Sequence, residues 1–109
     1  MGYRRYNIRE NNMKTRSQTK PPKTLEFHCD DQLEAGLINA ETGADIVGDE
    51  FIDWESWRTR TGPLFVEAFT SLRDKNLFQI VKVHSVIQEQ RPEILRLIVD
   101  LGYAVQFVY

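Results

Sequence analysis

P-E-I-L-R-L-I-V-D-L-G-Y-A-V-Q-F-V-Y, residues 92–109, is the stretch whose reading decides the fold. Pro92 suits the opening of a helix, where its missing N–H would have no partner anyway. Ile94, Leu95, Ile98 and Leu101 fall on one face of a 3.6-residue repeat. Gly102 then stands just past the helix end, where a left-handed residue is wanted. Beyond it the period changes to two, with Tyr103, Val105, Phe107 and Tyr109 alternating with Ala104, Gln106 and Val108. A helix that passes through glycine into a strand with an aromatic face is the second half of a βαβ unit, and its crossover is expected to be right-handed.

Residues 77–87, L-F-Q-I-V-K-V-H-S-V-I, are the candidate for the first strand of that unit. Five of these eleven residues are Val or Ile, which favours a strand over 78–84. Leu77, Ile80, Val81, His84 and Ile87 also fit a helical face, so the helix remains the alternative. Ser85 and Gln88 have the spacing of a capping box for a following turn. Upstream, Leu64, Phe65, Ala68, Phe69 and Leu72 make a clear amphipathic helix, opened at Pro63 and ending near Lys75-Asn76.

Asp49 is the predicted N-cap of a further helix over 50–59, in which Phe51, Trp54 and Trp57 form one aromatic stripe. Residues 40–48 read as a loop with turns at Gly43 and Gly48. Residues 31–39 fit a short helix held by Leu33, Leu37 and Ile38, and Thr24–Cys29 fits a short half-buried strand. The sum is a small α+β domain with about three strands and three to four helices. The expected core is Leu25, Phe27, Phe65, Phe69, Leu72, Ile80, Val81, Ile94, Leu95, Ile98, Leu101, Val105 and Phe107.

The whole chain has 109 residues, 41% hydrophobic and 28% charged, a globular balance. No run approaches the ~18 apolar residues of a membrane span, and no apolar segment follows the basic N-terminus as in a secretory signal. A protein that stays inside the cell, not one exported by a signal peptide, is expected. The net charge of −2 conceals two opposite parts. Residues 1–23 hold seven basic side chains and one acid, net +6; residues 24–109 hold seven basic and fifteen acidic ones, net −8. The division predicts a flexible basic arm, 1–23, and a compact acidic domain, 24–109. The arm has too few aliphatic residues to offset its chain entropy, and Pro21-Pro22 form a stiff spacer into the domain.

Motifs for catalysis are largely missing. The sequence has no G-x-G-x-x-G, no P-loop, no C-x-x-C and no H-E-x-x-H. His28, Cys29 and Asp30 are adjacent, but neighbours on a strand point to opposite faces, so at most two converge on a metal. A Cys29 nucleophile with His84 as base competes with the ordinary fate of a free cysteine, a small buried hydrophobe. No cofactor, metal or catalytic residue is therefore expected.

Binding residues are easier to nominate. In the arm, Tyr3 and Tyr6 interleave with Arg4, Arg5 and Arg9, and Lys14, Arg16, Lys20 and Lys23 follow. That composition suits phosphate contacts and base stacking, or the acidic surface of a protein. In the domain, Phe51, Trp54 and Trp57 with acids at 49, 50, 53 and 55 have the apolar centre and polar border of an interface. A non-enzymatic structural or interaction protein is expected, its arm ordering on a larger protein assembly. The alternatives are a nucleic-acid-binding accessory protein and an acidic inhibitor of another protein.

Lys14-Thr15-Arg16-Ser17-Gln18-Thr19-Lys20 resembles the T-R-S-Q opening of many small proteins encoded by giant DNA viruses of amoebae. The resemblance covers seven residues, with Met13 as an alternative start. It implies a viral protein, located in host cytoplasm or nucleus or packaged in the virion, makes a host protein the target of the inhibitor reading, and carries over no site residues.

Overall fold

The computed structural model of the chain describes residues 23–109. They form an α+β domain in which three helices cover one face of a five-stranded mixed sheet. The strands are β1 (Thr24–Cys29), β2 (Glu34–Asn39), β3 (Asp45–Phe51), β4 (Ile80–His84) and β5 (Ala104–Val108), in spatial order β3-β2-β1-β4-β5. β1, β2 and β3 pair antiparallel, whereas β4 lies parallel to both β1 and β5. No helix among the described residues is long and apolar enough to cross a membrane.

The five strands exceed the three expected, because β2 and β3 were read as a helix over 31–39, a loop over 40–48 and the start of a helix over 50–59. The physical reason lies in two side chains that organise turns. Asp30 Oδ1 accepts hydrogen bonds from the amides of Gln32 and Glu34, closing a tight β1–β2 connection. Leu33 takes φ 65° there, a conformation no propensity assigns to leucine. Asn39 Oδ1 likewise accepts from the amides of Glu41 and Thr42, and Gly43 follows at φ 78°. The hairpins these turns create recruit E-A-G-L-I-N and D-I-V-G-D-E-F into the sheet despite their modest β-propensity.

The sheet's helix-covered face carries Leu25, Phe27, Cys29, Ala35, Leu37, Val47, Val81 and Val83, all buried. Helix α2 (Gly62–Lys75) lays Phe65 and Phe69 against Phe27, with ring centroids 4.6 and 5.5 Å away. Tyr103, at the entry to β5, donates its phenolic hydrogen to the Phe69 carbonyl at 2.9 Å, tying that strand to α2. Ile80 and Phe107 were expected in this core. Ile80 instead occupies the opposite sheet face, since it alternates with the buried Val81, and Phe107 stays 38% exposed on the outermost strand.

Helix α4 (Glu93–Asp100) ends as the sequence suggests. Gly102 has φ 99°, its amide donates to the Val99 carbonyl, and the Tyr103 amide donates to Ile98. That pair of bonds is the Schellman arrangement, which only a residue at ease with positive φ completes without strain. Between β4 and α4 lies α3 (Ser85–Gln90), and no side-chain bond caps it, so the Ser85/Gln88 capping box does not form.

The largest correction concerns residues 53–75. Helix α1 (Trp54–Ser56), a π-helical turn (Trp57–Thr61) and α2 run on without interruption. The N-cap is Asp53, whose carboxylate accepts from the Ser56 amide at 3.3 Å, and not Asp49, which belongs to β3. The separate helices expected over 50–59 and from Pro63 onward are thus one, and Gly62-Pro63 is the place where the wide turn closes. The Gly62 amide donates to the Trp57 carbonyl five residues back, and Pro63 has no amide to offer.

Candidate interaction groove

The π-turn splays the chain just before α2 and opens a groove of about 590 Å³ towards α4. Trp54, Trp57, Pro63 and Val66 form one wall, and Ile94 and Leu97 form the other. Arg58 and Glu93 supply its charged margin. The two tryptophans differ in role. Trp57 is buried, stacked at 6.3 Å on Phe65, and serves as the groove's floor. Trp54 is 60% exposed and stands at the rim.

The rim is held by local electrostatics. Asp53 fixes the first turn, and its bonds from the Ser56 side chain and amide hold the carboxyl below the usual carboxylate range, with Arg91 adding a smaller pull. The Arg91 guanidinium lies 5.5 Å from the Trp54 ring centroid, within cation–π range. Arg58 is engaged by Glu55 at 3.0 Å. Among the described residues Glu93 makes no ion pair.

Trp54 and Trp57 thus meet in one groove, as their spacing suggests, but Phe51 does not join them. It ends β3, opposite Glu34, so the expected three-membered stripe is broken at a strand-to-helix junction. The opposite wall, Ile94 and Leu97, was not nominated. Ile94 was read only as a core position of α4 and Leu97 fell outside the expected apolar face, so only tertiary packing brings the two to Trp54. Of the arm residues, Tyr3, Arg4, Arg5, Tyr6, Arg9, Lys14, Arg16 and Lys20 lie outside the described residues. Lys23 is described and exposed, and its carbonyl accepts from the amides of Gln79 and Ile80, anchoring the chain beside β4.

The nucleophile reading of Cys29 fails on geometry. The thiol faces the core, and burial, with Asp30 adding to it, pushes its pKa up to about 11. His84 meets the Cys29 amide, not the sulfur: Nδ1 accepts that N–H at 3.4 Å, while Nε2 donates to Glu26 at 2.7 Å. His28 shares the open sheet face with His84, with ring centroids 6.3 Å apart, and its Nε2 lies 3.9 Å from Asp49. Cys29 points the other way. Among the described residues, no group of three His, Cys, Asp or Glu side chains is placed to hold a metal ion. The fold and site define a small α+β domain with an apolar inter-helical groove. No protein-family model, no curated protein and no solved structure matches the chain.

Proposed function

We propose that this protein is a non-enzymatic interaction module whose groove between α1–α2 and α4 receives an amphipathic helix with basic flanks. The observation that carries the reading is the rim tryptophan. An indole left 60% exposed beside an apolar channel is costly surface unless a partner covers it, and tryptophan dominates interface energetics. A channel between two helices suits a third helix that inserts apolar side chains at i, i+3 or i+4, and i+7.

Charge selects the flanks. The segment from residue 24 onward carries net −8; at the rim Arg58 is engaged by Glu55, Arg91 is set against the Asp53 carboxylate that it helps hold ionised, and Glu93 makes no ion pair among the described residues. A basic helix is therefore attracted over long range and an acidic one repelled. The basic arm adds a second, electrostatic attachment to a larger assembly in the same reading.

A synthetic amphipathic peptide with leucines on a 3.6-residue repeat and lysines opposite is the direct probe. Titration should blue-shift tryptophan emission saturably. Trp54→Ala and Leu97→Lys should each weaken binding at least tenfold, with Phe51→Ala unchanged. A peptide that binds both groove variants as well as the native chain would overturn the proposal.

A further inference from the structure

The two edges of the sheet are built differently, and the difference carries an inference independent of the groove. The β3 edge is guarded: it contains Asp45, Asp49 and Glu50, interrupts its run with Gly48, and shifts register against β2 between Ala35 and Ile38. Acids, bulges and glycine are the devices by which an edge strand is kept from pairing with another. The β5 edge has none of them. Ala104 to Tyr109 reads A-V-Q-F-V-Y, without a charge, proline or glycine, and β5 pairs with β4 in unbroken register.

The hydrogen-bonding groups of this edge are assignable. The Ala104 amide donates to the Gln79 carbonyl, towards β4. Alternation along a strand turns Gln106 and Val108 the same way and leaves the N–H and C=O groups of Val105 and Phe107 on the outer side. Apolar surface accompanies them. Phe107 is 38% and Tyr109 93% exposed, their rings 6.4 Å apart. On α4, Leu95 and Val99 occupy the flank turned away from the groove-lining Glu93 and Leu97, and Val99 is 54% exposed.

We infer that β5 pairs antiparallel with β5 of a second copy of this chain, about a two-fold axis through Gln106, to form a continuous ten-stranded sheet. The strand is self-complementary in that register. Val105 faces Phe107 of the partner subunit in a hydrogen-bonded pair, exchanging both bonds, and the axis relates a second identical pair. Val105 and Phe107 lie on the helix-covered side beside the buried Val81 and Val83, so the contact is an aromatic–β-branched cross-strand pair, a favourable kind. Ala104 faces Val108 on the open side. No charge meets its like, which the same operation at β3 would not achieve. Both Val99 side chains come to the same side of the joined sheet, extending the apolar seam. An isologous two-fold contact of this kind closes on itself, so one exposed strand per chain yields a dimer.

The test uses the full chain. Sedimentation equilibrium should give twice the 12.8 kDa chain mass at micromolar concentration. Gln106→Lys sets two lysines face to face at the axis, and Phe107→Lys charges the seam; both positions are exposed. Each should convert the dimer to monomer while far-ultraviolet circular dichroism stays native. Gln106→Cys brings two thiols together at a non-hydrogen-bonded pair, the closer of the two antiparallel pairings, and should form an intermolecular disulfide on mild oxidation. Ile46→Cys, on the guarded edge, should not, and the buried Cys29 provides no competing bridge. A native chain that is monomeric at 100 μM overturns the inference. So does a dimer that survives both lysine variants, or one in which Ile46→Cys crosslinks as readily as Gln106→Cys.

Discussion

The carbonyl oxygen of Trp57 stands where a side chain on Gly62 would begin. A Cβ built at residue 62 would come within 2.6 Å of that oxygen and 3.2 Å of the indole. Gly62 itself has ordinary helical angles, φ −57° and ψ −56°, so it is required for closeness and not for an unusual backbone. The wide π-turn, the buried indole and the groove floor meet at this contact.

Gly62→Ala should therefore destabilise the domain. In an ordinary helix the same change would add about 0.5–1 kcal/mol of stability, because glycine is the poorer helix former. Here a backbone atom blocks the methyl, and crowding of this kind costs about 1–3 kcal/mol. The second effect is the larger, so the melting temperature falls. An increase would mean that the turn relaxes freely and does not fix the groove.

Thr61 closes the same turn, is fully buried, and its Oγ1 makes no hydrogen bond among the described residues. Valine has the same shape without the hydroxyl. A buried unpaired hydroxyl costs about 1–3 kcal/mol, so Thr61→Val should raise stability by about 1 kcal/mol. Thermal unfolding would show that as a rise of about 4–8 °C for a domain of this size. A loss of stability would show that the hydroxyl is engaged in solution.

The tryptophans are separable by fluorescence. Trp54→Phe leaves only the buried Trp57, so emission should shift to the blue and resist acrylamide. Trp57→Phe leaves the exposed Trp54, and emission should shift to the red and quench readily. Equal quenching of the two variants would place both indoles in the same environment and remove the rim.

How much of this was legible beforehand depends on how local the cause is. The α4–Gly102–β5 passage and the Phe65/Phe69 face rest on periodicity and one special residue, and both are as read. β2 and β3 were hidden because their formation is decided by Asp30 and Asn39 side chains bonding to nearby amides, which makes hairpins out of segments with little intrinsic strand character. Trp54 and Trp57 were placed on one helical face, and both line the groove, Trp54 exposed at its rim and Trp57 buried as its floor. Phe51 was misassigned with them because a three-residue spacing looks helical even across the end of a strand. Ile94 carried no sign of the groove because it reads as core, and Leu97 carried none because it lies beside the expected apolar face.

Alkaline pH should weaken the fold in a defined window. Cys29 is held protonated when folded, its pKa pushed from 9.0 to about 11 by burial, and burial also raises the Tyr103 phenol above its ordinary value. Between these values the native chain binds more protons than the unfolded one, so stability declines as pH rises. It should be intact below pH 9 and fall between pH 9 and 11. Cys29→Ala should flatten part of that slope, measured by urea denaturation at successive pH values. A slope unchanged in this variant would show that the thiol does not contribute.

The groove as a helix receptor is tested most directly by amide and indole NMR shifts of the native chain, titrated with the leucine–lysine peptide. The shifts should concentrate on the Trp54 indole, Val66, Glu93 and Leu97, and should vanish in Trp54→Ala. Shifts centred instead on the open sheet face around Lys82 and His84, with the groove unmoved, would contradict the account.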